Sequence, residues 1–200
     1  MDFDSVDYWK KRYAGGGNSG SGSYGGLAEF KANSLNSFIS GNDISSIIEY
    51  GSGDGNQLGM INISKYLGLD VSPDAIAKTS EMYKNDQTKA FQLYEPDSFK
   101  VSDFMRADLA ISMDVILHLT EDDRYEKYLT NLFDSAIRFV GIFNTATEVQ
   151  LPTMAKHNRF RDHRLWIRKH SSSISDVKIE MLPDSYGYPN QTGFYYYKLD

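Results

Sequence analysis

The chain has 200 residues and no cysteine, which excludes disulfides, thiolate zinc sites and cysteine nucleophiles together. It also has no run apolar enough to span a bilayer, and its opening segment, MDFDSVDYWKKRY, lacks the uninterrupted apolar stretch of a secretory signal. The expectation is a cytoplasmic protein without membrane insertion. Positive charge is scarce, with 21 Lys and Arg against 27 Asp and Glu and a formal net charge of -6. A sequence-independent grip on nucleic acid needs basic surface to displace counterions, so nucleic acid is not expected as a partner. The one basic stretch of note, Lys156 to Lys169, would suit a small anionic or sugar-phosphate acceptor better than a duplex.

What is present suffices for one core. A hydrophobic content of 40% over this length predicts a single domain spanning residues 1–200. Helical spacing is expected near residues 4–13 and from Leu27 to Ile39, with a glycine and serine tract, Gly15 to Gly26, between them. A strand ends at Tyr50, a crossover helix is expected over Asn56 to Ile63, and a second strand covers Tyr66 to Val71. Ser72 and Pro73 then supply a cap and a first helical residue for a helix to about Tyr83. Ala90 to Leu93, Leu109 to Met113 and Phe139 to Phe143 are candidate strands, with a helix capped at Thr120 before the last of them. Val177 to Leu182 and Phe194 to Leu199 would close the sheet as an antiparallel pair. Such alternation predicts an α/β fold with a mostly parallel sheet, whose ligands sit beyond the carboxyl ends of the strands.

The most telling run is Ile47-Ile48-Glu49-Tyr50-Gly51-Ser52-Gly53-Asp54-Gly55. A buried strand leads into three glycines at alternating positions, leaving bare backbone against which a ligand can rest. The next strand ends in Asp70, whose two oxygens suit the paired hydroxyls of a ribose. A dinucleotide fingerprint wants glycine where Asn56 stands, and Glu49 and Asp54 would repel a pyrophosphate. A nicotinamide-dependent reductase is therefore disfavoured; a cofactor bearing an ammonium and a sulfonium escapes the repulsion.

These two motifs resemble those of the class I S-adenosylmethionine-dependent methyltransferases, whose first motif is E/D-x-G-x-G-x-G and whose second strand ends in an acid. The resemblance implies a Rossmann-like, doubly wound, mostly parallel seven-stranded sheet with an N-terminal helical and Gly-rich lid. It also implies S-adenosyl-L-methionine as cofactor and S-adenosyl-L-homocysteine as product. The cofactor would be held by Glu49, Tyr50, Gly51, Ser52, Gly53, Gly55 and Gln57 at the first motif and by Asp70 and Val71 at the second. Met113 and Asp114, in the fourth motif, would lie near its methionine part.

Tyr8-Trp9 through Arg12-Tyr13, followed by the glycine and serine tract, also resembles the start of small bacterial and phage methyltransferases linked to polysaccharide modification. There Tyr8, Arg12 and Tyr24 would fold over the cofactor, with Arg12 as counter-charge to its carboxylate; on composition alone the tract is a flexible linker. Transfer to a hydroxyl is helped by a base, and imidazole titrates in the useful range. His163, beside Arg161, Asp162 and Arg164, and His118, after the fourth motif, are the candidates, with Asp114 as a further one. The plainer account makes His118 a core-edge histidine and the Lys156 to Lys169 stretch a solvated face over packed Phe160 and Trp166. No metal is expected, although Asp114 with a neighbour could hold a divalent ion. The expected function is methyl transfer to an oxygen, or less readily a nitrogen, of a small-molecule or glycan acceptor. The alternative is a non-catalytic cofactor-binding module that recruits partners.

Overall fold

The computed structural model describes residues 3–170 and 173–200. Among the described residues, five α-helices and seven strands follow one another: α1 Ser5–Ala14, α2 Gly25–Gly41, β1 Ser46–Tyr50, β2 Lys65–Asp70, α3 Pro73–Met82, β3 Lys89–Leu93, β4 Ala107–Met113, α4 Asp122–Asp134, β5 Ala136–Thr145, α5 His163–His170, β6 Ile174–Met181 and β7 Thr192–Leu199. The strands form one sheet in the order β3-β2-β1-β4-β5-β7-β6. The β1 to β5 pairings are parallel, and β7 runs antiparallel between β5 and β6. Strand order reverses at β1, which has β2 on one side and β4 on the other. This is the Rossmann-like, mostly parallel seven-stranded fold expected from the sequence.

Both sheet faces are covered, which is why the central strands read as nearly continuous apolar runs. Along β5, Val140 and Ile142 face a core built with α4 and α5 through Leu129, Leu132, Trp166 and Ile167. Phe139 and Phe143 face the opposite core, where α2 contributes Leu35, Phe38 and Ile39. Gly141 carries no side chain because the Tyr196 ring lies across it; that ring stacks on Phe38 with centroids 4.0 Å apart.

Two local expectations are corrected. Over Asn56 to Ile63 there is only one 3-10 turn, Leu58–Met60, and Ile61 is already extended. Gly59 and the β-branched Ile61 and Ile63 weaken helix there, and α2 already covers that face. Asn36 of α2 donates to the Met60 carbonyl and accepts from the Asn62 N–H, both at 2.8 Å. The N-cap of α4 is Glu121, not Thr120, because the Thr120 carbonyl is taken by Arg159 and Arg161, each at 3.0 Å. Three expected spans are extended: α2 begins inside the glycine tract at Gly25, β4 starts at Ala107, and β5 runs ten residues.

Candidate functional site

The ends of β1, β2, β3 and β4 surround a cleft, open at one side, with α1 across it. After β1 the chain doubles back, and the N–H groups of Gly51 and Ser52 both donate to the Leu69 carbonyl, at 2.7 and 3.0 Å. Gly51 and Gly53 have φ of 81° and 60°, a region that disfavours any residue with a Cβ. This corner lays the Gly53 N–H against Asp70 Oδ2 at 2.9 Å, while Oδ1 accepts from the Ser72 N–H at 2.9 Å. The carboxylate is thus fixed in the cleft wall with lone pairs to spare. Burial pushes its pKa up to about 6.

Across the cleft, Met113 and Asp114 end β4, and Asp114 takes a φ of 58°. Its Oδ2 lies 2.7 Å from Nζ of Lys31, a lysine with 1% of its side chain exposed. Four residues on, His118 faces the cleft. Its Nδ1 is 3.1 Å from the His157 carbonyl oxygen; a carbonyl only accepts, so Nδ1 carries the proton and Nε2 keeps its lone pair. Burial lowers the His118 pKa to about 4, leaving the ring neutral at physiological pH.

The roof is one face of α1: Ser5, Val6, Trp9 and Tyr13 line the cleft. Trp9 meets His118 edge-on at 4.9 Å, and Tyr8 stacks on His157 at 4.6 Å. At the amino end of α1, Arg124 forks onto the Asp4 carboxylate with two bonds of 2.9 Å and reaches Glu121 at 2.6 Å. Glu121 in turn accepts the Ser5 N–H at 2.8 Å.

Seven of the residues singled out in the sequence therefore share the cleft: Gly51, Gly53, Asp70, Val71, Met113, Asp114 and His118. The others do not line it. Glu49 is buried on the α2 side, bonded by the Tyr66 hydroxyl, and burial raises its pKa to about 7. The Tyr50 phenol lies 2.5 Å from the Ser135 hydroxyl, Ser52 packs over Gly68, and Gln57 donates to the Ala28 carbonyl at 2.9 Å. A Cβ on Gly55 would meet Thr79 at 2.9 Å, so α3 fills that space.

Arg12, expected as a counter-charge, is spent on Asn18, donating to its carbonyl at 2.7 Å. Tyr8 contacts Arg12 and His157, and Tyr24 donates to Asp54 at 2.5 Å. His163, the expected base, is fully buried away from the cleft, with Nε2 2.9 Å from the Tyr197 hydroxyl; its pKa is lowered to about 3 by that burial. Its arginine neighbours are also engaged internally. Arg161 bonds the Leu119 and Thr120 carbonyls, and Arg164 bonds Asp162 and the Ala146 carbonyl. A local motif of His among basic residues cannot reveal which face its helix buries. Sequence reasoning passed over Val6, Ser19, Tyr94, Val115, Arg124 and Tyr128 as cleft residues. The i, i+1, i+4, i+8 spacing of Ser5, Val6, Trp9 and Tyr13 was the available signal for the roof. Among the described residues, no cluster of three His, Asp or Glu is placed to hold a metal ion.

No protein-family model and no curated protein matches the chain. Solved structures do match in fold. The N-methyltransferase NodS from Bradyrhizobium japonicum, in complex with S-adenosyl-L-homocysteine, superposes with a TM-score of 0.74 at 11% identity, over 98% of this chain and 99% of that one. The magnesium protoporphyrin IX methyltransferase of Synechocystis with bound S-adenosyl-L-homocysteine gives 0.66 at 13% identity, over 97% and 94%. Phosphoethanolamine N-methyltransferase 1 of Haemonchus contortus gives 0.68 at 13% identity, over 97% of this chain and 48% of that one.

Proposed function

We propose that the chain is an S-adenosyl-L-methionine-dependent methyltransferase acting on an oxygen, less readily a nitrogen, of a small-molecule or glycan acceptor. The observation that carries this reading is the Asp70 carboxylate, fixed by the Gly53 and Ser72 amides in the wall of a cleft where strand order reverses. A carboxylate so held accepts two vicinal hydroxyls without having to be reoriented. The matching fold of three methyltransferases supports it. The donor set also fits the group: an acid for a ribose at Asp70 and bare backbone at Gly51 and Gly53. When bound, S-adenosyl-L-methionine supplies an electrophilic methyl group.

The chain's own residues supply alignment and a proton acceptor. Val71, Tyr94 and Leu119 offer apolar walls for a base, while Met113 and Asp114 flank the other end of the cleft. His118, with Nδ1–H held by the His157 carbonyl, presents Nε2 as the acceptor for a hydroxyl proton. A base near 4 cannot ionise an alcohol beforehand; it takes the proton as the oxygen becomes acidic in the transition state. Tyr24, Tyr186 and Tyr188 are exposed aromatics, and Tyr186 is tied to the Gly26 carbonyl at 3.2 Å. Such rings suit stacking against a sugar face. The engagement of Arg161 and Arg164 with backbone carbonyls argues against their binding a phosphate-bearing acceptor.

Thermal shift with S-adenosyl-L-homocysteine against NAD tests the cofactor, since only a ligand of the folded state raises the transition; stabilisation by NAD alone would overturn the reading. His118→Gln is expected to lower kcat about 100-fold with homocysteine-nucleoside affinity retained. A second reading, a binding module without turnover, is favoured by the clamped roof. It would be upheld by tight binding of S-adenosyl-L-homocysteine with no product released in the presence of varied sugars and alcohols.

A further inference from the structure

We infer that Asp54 is a positioning residue that buckles the Gly15–Gly26 strap over the cleft, a role distinct from contact with the cofactor. The inference rests on the cofactor reading above. As a mere turn former, Asp54 would need only the Asn56 N–H, which Oδ1 accepts at 3.3 Å. Its other bonds all go to the strap, 30 and 35 positions away in sequence. Oδ2 accepts the Ser19 N–H at 3.2 Å and the Tyr24 hydroxyl at 2.5 Å. In return the Asp54 N–H donates to Ser19 Oγ at 2.9 Å, and that oxygen also pairs with the Tyr13 hydroxyl at 2.8 Å. Next to it, Asn56 Nδ2 donates to the Ser23 carbonyl at 2.7 Å. Lys78 Nζ stands 3.7 Å from Oδ2.

The carboxylate is 1% exposed and does not line the cleft, whereas Ser19, which it holds directly, does, as do Tyr13 and Ser23, bonded in turn to Ser19 and to Asn56. A Cβ on Gly53 would collide with the Ser19 hydroxyl, so the second glycine of the corner makes room for the strap. Burial opposes the charge on Asp54, but the bonds from Tyr24 and Ser19 outweigh it and hold the pKa below the usual carboxylate range. Glycines with positive φ stand at 16, 20 and 25, so the strap can swing once unbuckled. Because strap residues form part of the cleft wall, a ligand under them leaves when Asp54 lets go.

The test uses the full chain with Tyr24→Phe, which deletes one hydroxyl from a ring at the surface, and Asp54→Ala. Stopped-flow release of S-adenosyl-L-homocysteine and hydrogen exchange of residues 15–26 are the readouts. The expected result is release about tenfold faster with the association rate little changed, and faster exchange in the strap in both variants. Unchanged release and unchanged strap exchange in Tyr24→Phe would overturn the inference, even where Asp54→Ala fails to fold. If the wild type binds no S-adenosyl-L-homocysteine, the cofactor reading fails separately, and strap exchange in the unliganded variants alone decides the buckle.

Discussion

At the scale of residues, two buried charges dictate what the cleft can do. The ionised form of Asp70 is the one that accepts hydroxyls, and its pKa lies near 6. Affinity for S-adenosyl-L-homocysteine is therefore expected to fall about tenfold between pH 8 and pH 5, and calorimetry at both values checks it; Asp70→Asn should bind weakly at either pH. Lys31 has a different task. It neutralises Asp114 at 2.7 Å and its field reaches buried Glu49. Lys31→Met leaves both acids without their counter-charge and is expected to destabilise the fold by about 3 kcal/mol, read as a lower urea midpoint at unchanged slope. Asp70 was legible in the sequence because an acid at a strand tip needs only local context. Lys31 was not, since nothing in a helical stretch announces that one lysine points inward toward a loop 83 positions later. His163 shows the converse: its basic neighbours suggested a site, and the turn of α5 buried it beneath Tyr197.

At the scale of elements, periodicity located all seven strands, because apolar runs between turn residues survive any tertiary setting. It failed where one element does another's work. The β1–β2 crossover needs no helix because α2, which precedes β1, covers that face and stitches the loop down through Asn36. Asn36→Ala deletes both bonds and is expected to cost about 1–2 kcal/mol, seen as a lower Tm together with faster hydrogen exchange in residues 56–63. The segment over the cleft was visible only through its flanking aromatics; its bonds at Asp4–Arg124 and at Asp54 join segments far apart in the chain.

At the scale of the whole molecule, opposed titrations shape the response to pH. Asp70 and Glu49 have folded pKa values raised to about 6 and about 7, so their contribution is full below their unfolded values and is lost as pH rises through the folded ones. His118 and His163 are lowered to about 4 and about 3; their contribution is full above the unfolded value near 6.5 and is lost as pH falls toward the folded ones. Between about pH 4.5 and 6.5 the two pairs oppose each other, and a stability plateau is expected there. Glu49→Gln should tilt that plateau, making stability rise with pH, and thermal melts across the range would detect it. A steep wild-type slope in this window would contradict the assignment.

The placement of α1 and α2 ahead of every strand also sets an order of synthesis. Both the roof and the cover of one sheet face are made before β1, and the apolar side of α2, with Leu35, Phe38 and Ile39, must wait for β1 and β4 to bury it. Until residue 113 has emerged, β1, β2 and β3 can pair, but Leu109, Ile111 and Met113, the β4 share of the core under α2, are still missing. During that interval α2 presents unburied apolar surface, the kind of face that holding chaperones cover.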